Sequence, residues 1–407
     1  MRALQYKFSI PSYLAVRTAD KLPLGMIERG NIPGLSEIAP GTRPLPGADW
    51  VRIKPVLAGI CGSDIGMILN RSSPALMPFI SFPLTPGHEV VGTVTETGAL
   101  DGQFAVGQRV AVMPLINCHM RGVERCPSCQ ADEPGLCTNT TEGSLSAGML
   151  IGFCKDIPGG WGQEMIVHRS QLYAIPDTIP DRTAVLIEPF SVAVHAVLRN
   201  PPPPEAKVLI IGSGSIGLLV LAALRLLGDT CDVTVLARHK RQIELAEQFG
   251  ATRVLKGKSA GDAAQDVVGA RRFRLIMGGN SYAGGFDWIF DCVGSRKSVD
   301  ESLRTAGPRA RVVMVGCAAE LSKLDLTYVW ARELTVSGSY VYGREASLPE
   351  TPHTFQVAID LLEKHPDFNL GAMVTHTIPL SDWKNGFRTM LNRKGSGAIK
   401  VAFDCQV

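Results

Sequence analysis

The segment Gly212-Ser213-Gly214-Ser215-Ile216-Gly217 constrains the fold of this chain more than any other. It follows an apolar, strand-like Val208-Leu209-Ile210-Ile211 and opens a helix-like run, and this context turns a spacing of glycines into a prediction. Gly212 permits a tight turn, Gly214 lets an anion approach the backbone, and Gly217 lets the helix pack closely on the strand. Ser215 and Ile216 begin the helix, whose unpaired N–H groups face that anion. The pattern predicts a dinucleotide pyrophosphate at the turn. The alternative is a glycine-rich turn that holds no nucleotide.

The flanking texture extends the prediction. Four prolines at 201–204 break the chain, because neither a helix interior nor a central strand accommodates them. Beyond them, strands are expected at 207–211, 232–236, 288–291, 310–315 and 334–339, with helices at 215–227 and 241–249. Such alternation defines an α/β, doubly wound parallel sheet. Upstream, from 50 to 195, short β-runs such as 50–57 and 89–95 are broken by Gly and Pro, which suggests a barrel-like β domain. A helix at 354–364 and a strand at 398–403 close the chain, while 21–47 and 256–285 read as insertions. A length of 407 residues exceeds what one core serves, so two domains are expected.

Composition excludes several classes. With 45% hydrophobic and 19% charged residues the chain can bury a sizeable core and is not disordered. A net charge of +3 is too small for a nucleic-acid or anionic-membrane surface. The uncharged stretch 208–224 is interrupted by the spaced glycines, so no membrane span is expected. Four of the ten cysteines fall between Cys118 and Cys137, and no export signal precedes them. A reducing cytoplasm is the expected compartment, and there clustered thiols hold zinc rather than disulfides.

Cofactor choice is read where the second strand ends, about 20 residues past Gly217, at which point an NAD site places an acidic residue on the ribose 2′-hydroxyl. Here Ala237 and Arg238 stand instead. A guanidinium suits a 2′-phosphate, which favours NADP over NAD. The alternative is that Arg238 to Arg241 form only the solvated start of a helix.

Three further segments supply metal-binding groups: Cys61 in Gly59-Ile60-Cys61-Gly62-Ser63-Asp64, His88 and Glu89 after Pro86-Gly87, and Glu188 in the apolar Ala184-Val185-Leu186-Ile187-Glu188-Pro189. An unpaired carboxylate in such an apolar run would be costly. Taken singly, these residues read as an inert thiol, a core histidine and an ion-pair partner. Together they match the donors of an open catalytic zinc site.

These signatures, with Asp291-Cys292-Val293-Gly294 and a strand ending at Gly316, resemble the zinc-containing medium-chain dehydrogenase/reductase (alcohol dehydrogenase) family, particularly its sorbitol and threonine dehydrogenase-like branch. The resemblance spans nearly the whole chain. It implies a GroES-like, β-rich catalytic domain over 1–190 with a zinc lobe at 115–140, a Rossmann cofactor-binding domain over 191–344, and a segment 345–407 that completes the catalytic domain. It further implies that Cys61, His88 and Glu188 bind the catalytic zinc, with Glu89 an alternate ligand, Ser63 passing the substrate proton and Asp64 orienting His88. Val293, Gly294 and Gly316 would line the path of the cofactor. One departure stands out: Gly66 occupies a position where the family often carries a proton-relaying histidine.

Cys126, Cys129 and Cys137 match three positions of the family's structural-zinc spacing, C-x2-C-x2-C-x7-C, and the fourth falls on Val123. Cys118, seven residues before Cys126, can return its thiolate to complete four ligands. A lobe that has lost its metal is the alternative.

The expected activity is hydride transfer between a nicotinamide cofactor and a secondary alcohol or polyol-like substrate, or its carbonyl form. The resemblance also implies a homo-dimer or homo-tetramer. Two other readings compete: an NADPH-dependent reductase of activated alkenes, against which Cys61, His88 and Glu188 argue, and a non-catalytic nucleotide-binding zinc scaffold.

Overall fold

The computed structural model describes the chain except for residues 20–24, 26, 28, 99–101, 277 and 318. It divides into two compact units, Met1–Glu188 with Leu362–Val407, and Pro189–Leu361.

The first unit is organised on the strand Trp50–Gly59, which pairs antiparallel with three others. Val90–Thr97 runs beside it, with Ala58 opposite Val90, and Met165–His168 covers its beginning, with Trp50 opposite His168. The final strand, Lys400–Asp404, pairs with its end, setting Gly59 opposite Ala402. Arg109–Val112, Leu172–Ala174 and Val374–Pro379 complete the seven-stranded sheet. Pro55 has no N–H to donate, and the register of the Val90–Thr97 pairing shifts between Pro55 and Leu57, as expected where proline interrupts a ladder.

The sheet brings the ends of the chain together around one residue, Trp161. Its indole is fully buried, donates its N–H to the Gly59 carbonyl at 3.0 Å, and meets Phe387 and Phe403 edge-on at 5.6 and 5.4 Å. Gly87 lies against this ring with a φ of 96°, and a Cβ there would stand 2.4 Å from Trp161 Cδ1. Backbone strain and overpacking therefore coincide at the residue before His88. Gly87→Ala is expected to cost about 3 kcal/mol, read as a lower urea midpoint; an unchanged midpoint would show that the loop relaxes freely.

The second unit contains a six-stranded sheet, parallel throughout, in the order Arg253–Lys256, Asp232–Ala237, Lys207–Ile211, Phe286–Asp291, Ala306–Met314, Thr335–Gly338. The order reverses between Lys207–Ile211 and Phe286–Asp291, and ligands of open α/β sheets bind outside such a switch point. The helix Ser215–Leu226 follows directly from Lys207–Ile211. The expected α/β class, a β-rich GroES-like unit with a doubly wound parallel sheet, is the architecture observed.

The stretch 256–285 is not one insertion. Its first half contains the helix Ala260–Val268, whose alanines pack into the core beneath the sheet. Only the hairpin Arg271–Arg274 with Asn280–Ala283 stands apart from the parallel sheet. Of the stretch 21–47, residues 21–24, 26 and 28 lie outside the described residues, while Leu35–Ile38 pairs antiparallel with Ala3–Tyr6.

Candidate active site

Cys61 ends the turn leaving Trp50–Gly59 and begins the short helix Gly62–Ile68. Asp64, in the first turn of that helix, does two things. Its Oδ2 accepts the Cys61 backbone N–H at 3.0 Å, which fixes the helix start, and its Oδ1 accepts from His88 Nδ1 at 3.2 Å, which sets the ring orientation. Nε2 of His88 is thereby left facing Ser63 Oγ at 3.5 Å, and the same hydroxyl donates to Cys61 Sγ at 3.2 Å. Cys61, His88 and Glu89 each bring a ligand atom within 4.8 Å of the others.

Burial opposes charge on His88, yet Asp64 and the Cys61 thiolate outweigh it and raise its pKa well above the usual value. A metal ion takes the unprotonated ring nitrogen and so competes with that raised proton affinity, which makes metal loading weaken on acidification.

Glu89 is engaged by a residue that the sequence reading missed. Lys400 Nζ donates to both carboxylate oxygens, at 2.6 and 2.7 Å, and both side chains are almost completely buried. The pairing of Lys400–Asp404 with Trp50–Gly59 delivers that lysine, and Gly59 makes room for the carboxylate, since a Cβ at 59 would lie 1.9 Å from Glu89 Oε2. Burial lowers the pKa of Lys400, but Glu89, Cys61 and Glu188 outweigh it and keep the ammonium charged. One signal was available, a single lysine in the apolar Ala398-Ile399-Lys400-Val401-Ala402-Phe403.

Glu188 is buried in the first turn of the helix Ile187–Arg199. It interacts electrostatically with Lys400 but does not belong to the close group formed by Cys61, His88 and Glu89. Glu89, expected as the alternate ligand, thus lies in the close group with the thiol and imidazole, and Glu188, expected as the third ligand, lies outside that group. Gly66 offers no side chain at the position of the expected relay, and its carbonyl accepts from Arg71 and Ser72 N–H at 2.7 and 3.2 Å.

The four clustered cysteines converge. Ligand atoms of Cys118, Cys126, Cys129 and Cys137 lie within 4.8 Å of one another, and none forms a disulfide. Cys118 takes the place left by Val123, with its sulfur 3.6 Å from that of Cys137. The fully buried Arg121 anchors the loop by donating to the carbonyls of Glu142, Leu145, Ser146 and Gly148. At Cys126 burial is outweighed by hydrogen bonds from the backbone of Cys129 and Thr138, bringing the thiol to about 6, whereas burial pushes Cys137 up to about 11. Four convergent sulfurs, one already acidic, fit a tetrahedral zinc ion.

In the second unit, Gly212 has a φ of 100°, and a Cβ at Gly217 would stand 1.9 Å from the Gly212 carbonyl oxygen. Gly214 is the N-cap of Ser215–Leu226 and has no side chain of its own to cap the first turn. Asp291 Oδ1 accepts the N–H groups of Val293 and Gly294 at 2.9 and 3.0 Å, and Gly316 packs on the same backbone, where a Cβ would lie 2.5 Å from Gly294 N. Ala237 is buried at the end of its strand and Arg238 is exposed. Gln242 Oε1 already accepts the N–H groups of Arg238 and His239, so only side chains remain there for an incoming group.

Comparisons with known proteins agree with this geometry. The alcohol dehydrogenase GroES-like domain matches residues 47–177 and the zinc-binding dehydrogenase domain residues 215–364. The chain is 27% identical over 378 residues to L-idonate 5-dehydrogenase of Vitis vinifera, covering 90% of this chain and 91% of that one. A zinc-binding dehydrogenase of Sinorhizobium meliloti 1021 bound to NADP superposes with a TM-score of 0.71 at 28% identity, covering 92% of this chain and 97% of its own. The RspB alcohol dehydrogenase of E. coli CFT073, complexed with NADH, gives 0.71 at 25% identity, covering 91% and 95%. The chain belongs to the zinc-type medium-chain alcohol dehydrogenase family. It is an NAD(P)-linked oxidoreductase that interconverts an alcohol and its carbonyl form, with zinc as its metal. Among the described residues no helix is long and apolar enough to cross a membrane.

Proposed function

We propose that the enzyme oxidises a secondary alcohol of the polyol type, or reduces the matching ketone, at a zinc ion held by Cys61 and His88 together with a carboxylate. The observation that carries this reading is the convergence of Cys61, His88 and Glu89, with His88 oriented by Asp64. Zinc bound there would supply Lewis acidity toward the substrate oxygen, and a nicotinamide dinucleotide held at Gly212, Gly214 and Gly217 would supply the hydride acceptor or donor. Glu188 is the third ligand and Glu89 the alternate one, because Lys400 already neutralises Glu89 while leaving it beside Cys61.

Ser63 Oγ, within 3.5 Å of both Cys61 Sγ and His88 Nε2, receives the proton of the substrate hydroxyl. From there the proton passes to water, since Gly66 carries no group to relay it. The backbone N–H groups opening Ser215–Leu226 take the cofactor pyrophosphate, and Val293, Gly294 and Gly316 border the cofactor path. The polyol preference rests on a carboxylate standing where simple alcohol dehydrogenases use a third soft ligand, and on the L-idonate-oxidising relative. The four cysteines of the lobe hold a second, structural zinc. A reducing cytoplasm is the compartment that clustered, unbridged thiols favour. The family resemblance supports a homo-dimer or homo-tetramer as the assembly, which light scattering in solution reads directly.

NADP is the preferred cofactor. The guanidinium of Arg238 makes no hydrogen bond to another described residue, and no acidic residue stands at Ala237 to repel a 2′-phosphate. Losing one charge-assisted contact corresponds to roughly 1.5–3 kcal/mol. Arg238→Gln should therefore raise the KM for NADP about ten- to a hundredfold and leave that for NAD nearly unchanged. Equal changes for both cofactors, or a wild-type preference for NAD, would refute the assignment. A panel of secondary alcohols, sugar alcohols and ketones assayed with each cofactor tests the substrate class; activity confined to primary alcohols would refute it.

A further inference from the structure

Away from the thiol-bearing groups, the described residues of the first unit contain one more set of convergent metal-binding side chains. Ligand atoms of Asp49, His119 and His168 fall within 4.8 Å of one another. No motif links these positions, and separate features of the fold assemble them. The pairing of Trp50–Gly59 with Met165–His168 sets His168 opposite Trp50, and Arg169 N–H donates to the Asp49 carbonyl at 2.9 Å. Two segments therefore run side by side where the sheet ends. His119, next to Cys118 at the root of the cysteine lobe, meets the His168 ring edge-on with centroids 5.1 Å apart.

The three side chains are oriented but not mutually satisfied. Nδ1 of His168 is engaged by Ser170, 3.2 Å from its N–H and 2.8 Å from its hydroxyl, which fixes the ring and leaves Nε2 as the available nitrogen. Among the described residues nothing hydrogen-bonds that Nε2 or either ring nitrogen of the exposed His119. Asp49 Oδ1 is buried and accepts no well-directed hydrogen bond, although Arg169 Nε lies 2.9 Å away as an ion-pair partner. Two imidazoles and one carboxylate, with further positions open to solvent, form a donor set suited to zinc, nickel or copper and poorly suited to magnesium or calcium.

The geometry points to a further metal site, formed by Asp49, His119 and His168, that takes a divalent ion of the zinc and nickel class. It lies outside the catalytic group and the four-cysteine group. Occupied, it ties the root of the lobe, through His119, to the end of the sheet, through His168 and Asp49. Arg169 is the only cation paired with Asp49 among the described residues, and it opposes the incoming charge. The site is therefore weaker than the closed four-thiolate one.

The test is titration of the tag-free, zinc-loaded full chain with Ni²⁺ by calorimetry. One ion is expected to bind per chain in addition to the zinc already present. His119→Ala should weaken that binding by about tenfold or more, and Arg169→Gln should strengthen it. His119 is exposed, so its alanine variant keeps the fold, and any rise in Tm on adding Ni²⁺ should vanish with it. Co²⁺ in place of Ni²⁺ should give ligand-field bands without a thiolate-to-cobalt charge-transfer band. The proposal is overturned by no nickel binding beyond the zinc content, by binding unchanged in both His119→Ala and His168→Gln, or by a thiolate band that places the ion on the cysteines.

Discussion

Cys61→Ala is expected to lower kcat/KM by about a thousandfold or more and to remove one zinc per chain while leaving the fold intact. Lewis-acid stabilisation of the reacting oxygen contributes several kcal/mol to the barrier, and each 1.36 kcal/mol is about a factor of ten. The fold survives because the start of Gly62–Ile68 keeps the Cys61 backbone N–H, which Asp64 Oδ2 accepts whatever side chain stands at 61. The urea midpoint should therefore scarcely move. Retention of more than a tenth of wild-type turnover, with zinc content unchanged, would exclude Cys61 from the metal centre.

Lys400→Met carries the second large effect, on stability. The ammonium and the Glu89 carboxylate are 3% and 1% exposed and 2.6 Å apart. Removing one partner of a buried pair leaves an uncompensated charge in a low-dielectric site, which costs about 3–5 kcal/mol. Glu89 would then take up a proton or turn toward the metal, so zinc affinity should change together with stability. The double variant Lys400→Met with Glu89→Gln should recover most of the lost stability, because no buried charge is then left alone. Urea unfolding of the three variants measures the coupling. A loss below about 1 kcal/mol for Lys400→Met would show that water reaches the pair and screens it.

The parts of the fold legible in the sequence were those encoded by local pattern. The turn from Gly212 to Gly217 announced its strand and helix through glycine spacing and apolar periodicity, whereas periodicity alone could not place the expected helix Thr354–Lys364 in the fold. The helix Ala260–Val268 was hidden by alanine and glycine, which carry little periodic contrast, although Ser259 and Asp262 form a capping box that marks its start. The hairpin from Arg271 was masked by its arginines, which suggest a solvated loop rather than paired strands.

The site was legible to the same extent. The part of Asp64, three residues from Cys61, was legible only as what the family resemblance implies. Lys400 is 311 positions from Glu89 and is delivered by strand pairing alone, which no local pattern records. Cys118 was a candidate by proximity, but its return to the lobe depends on the loop held by Arg121, whose carbonyl partners lie more than twenty residues away. Glu188 was singled out as a carboxylate in an apolar run. It is indeed buried, yet spacing could not tell that Glu89 would be the carboxylate in the close group with Cys61 and His88.

Turnover of a secondary alcohol, followed through the absorbance of the reduced nicotinamide, provides the most direct check while a chelator withdraws one zinc per chain and zinc is then returned. Activity should fall in proportion to the first zinc lost, with the fold retained, and should recover on its return in the wild type but not in Cys61→Ala. Undiminished turnover after that zinc has left would mean that hydride transfer does not depend on the metal held beside Cys61 and His88.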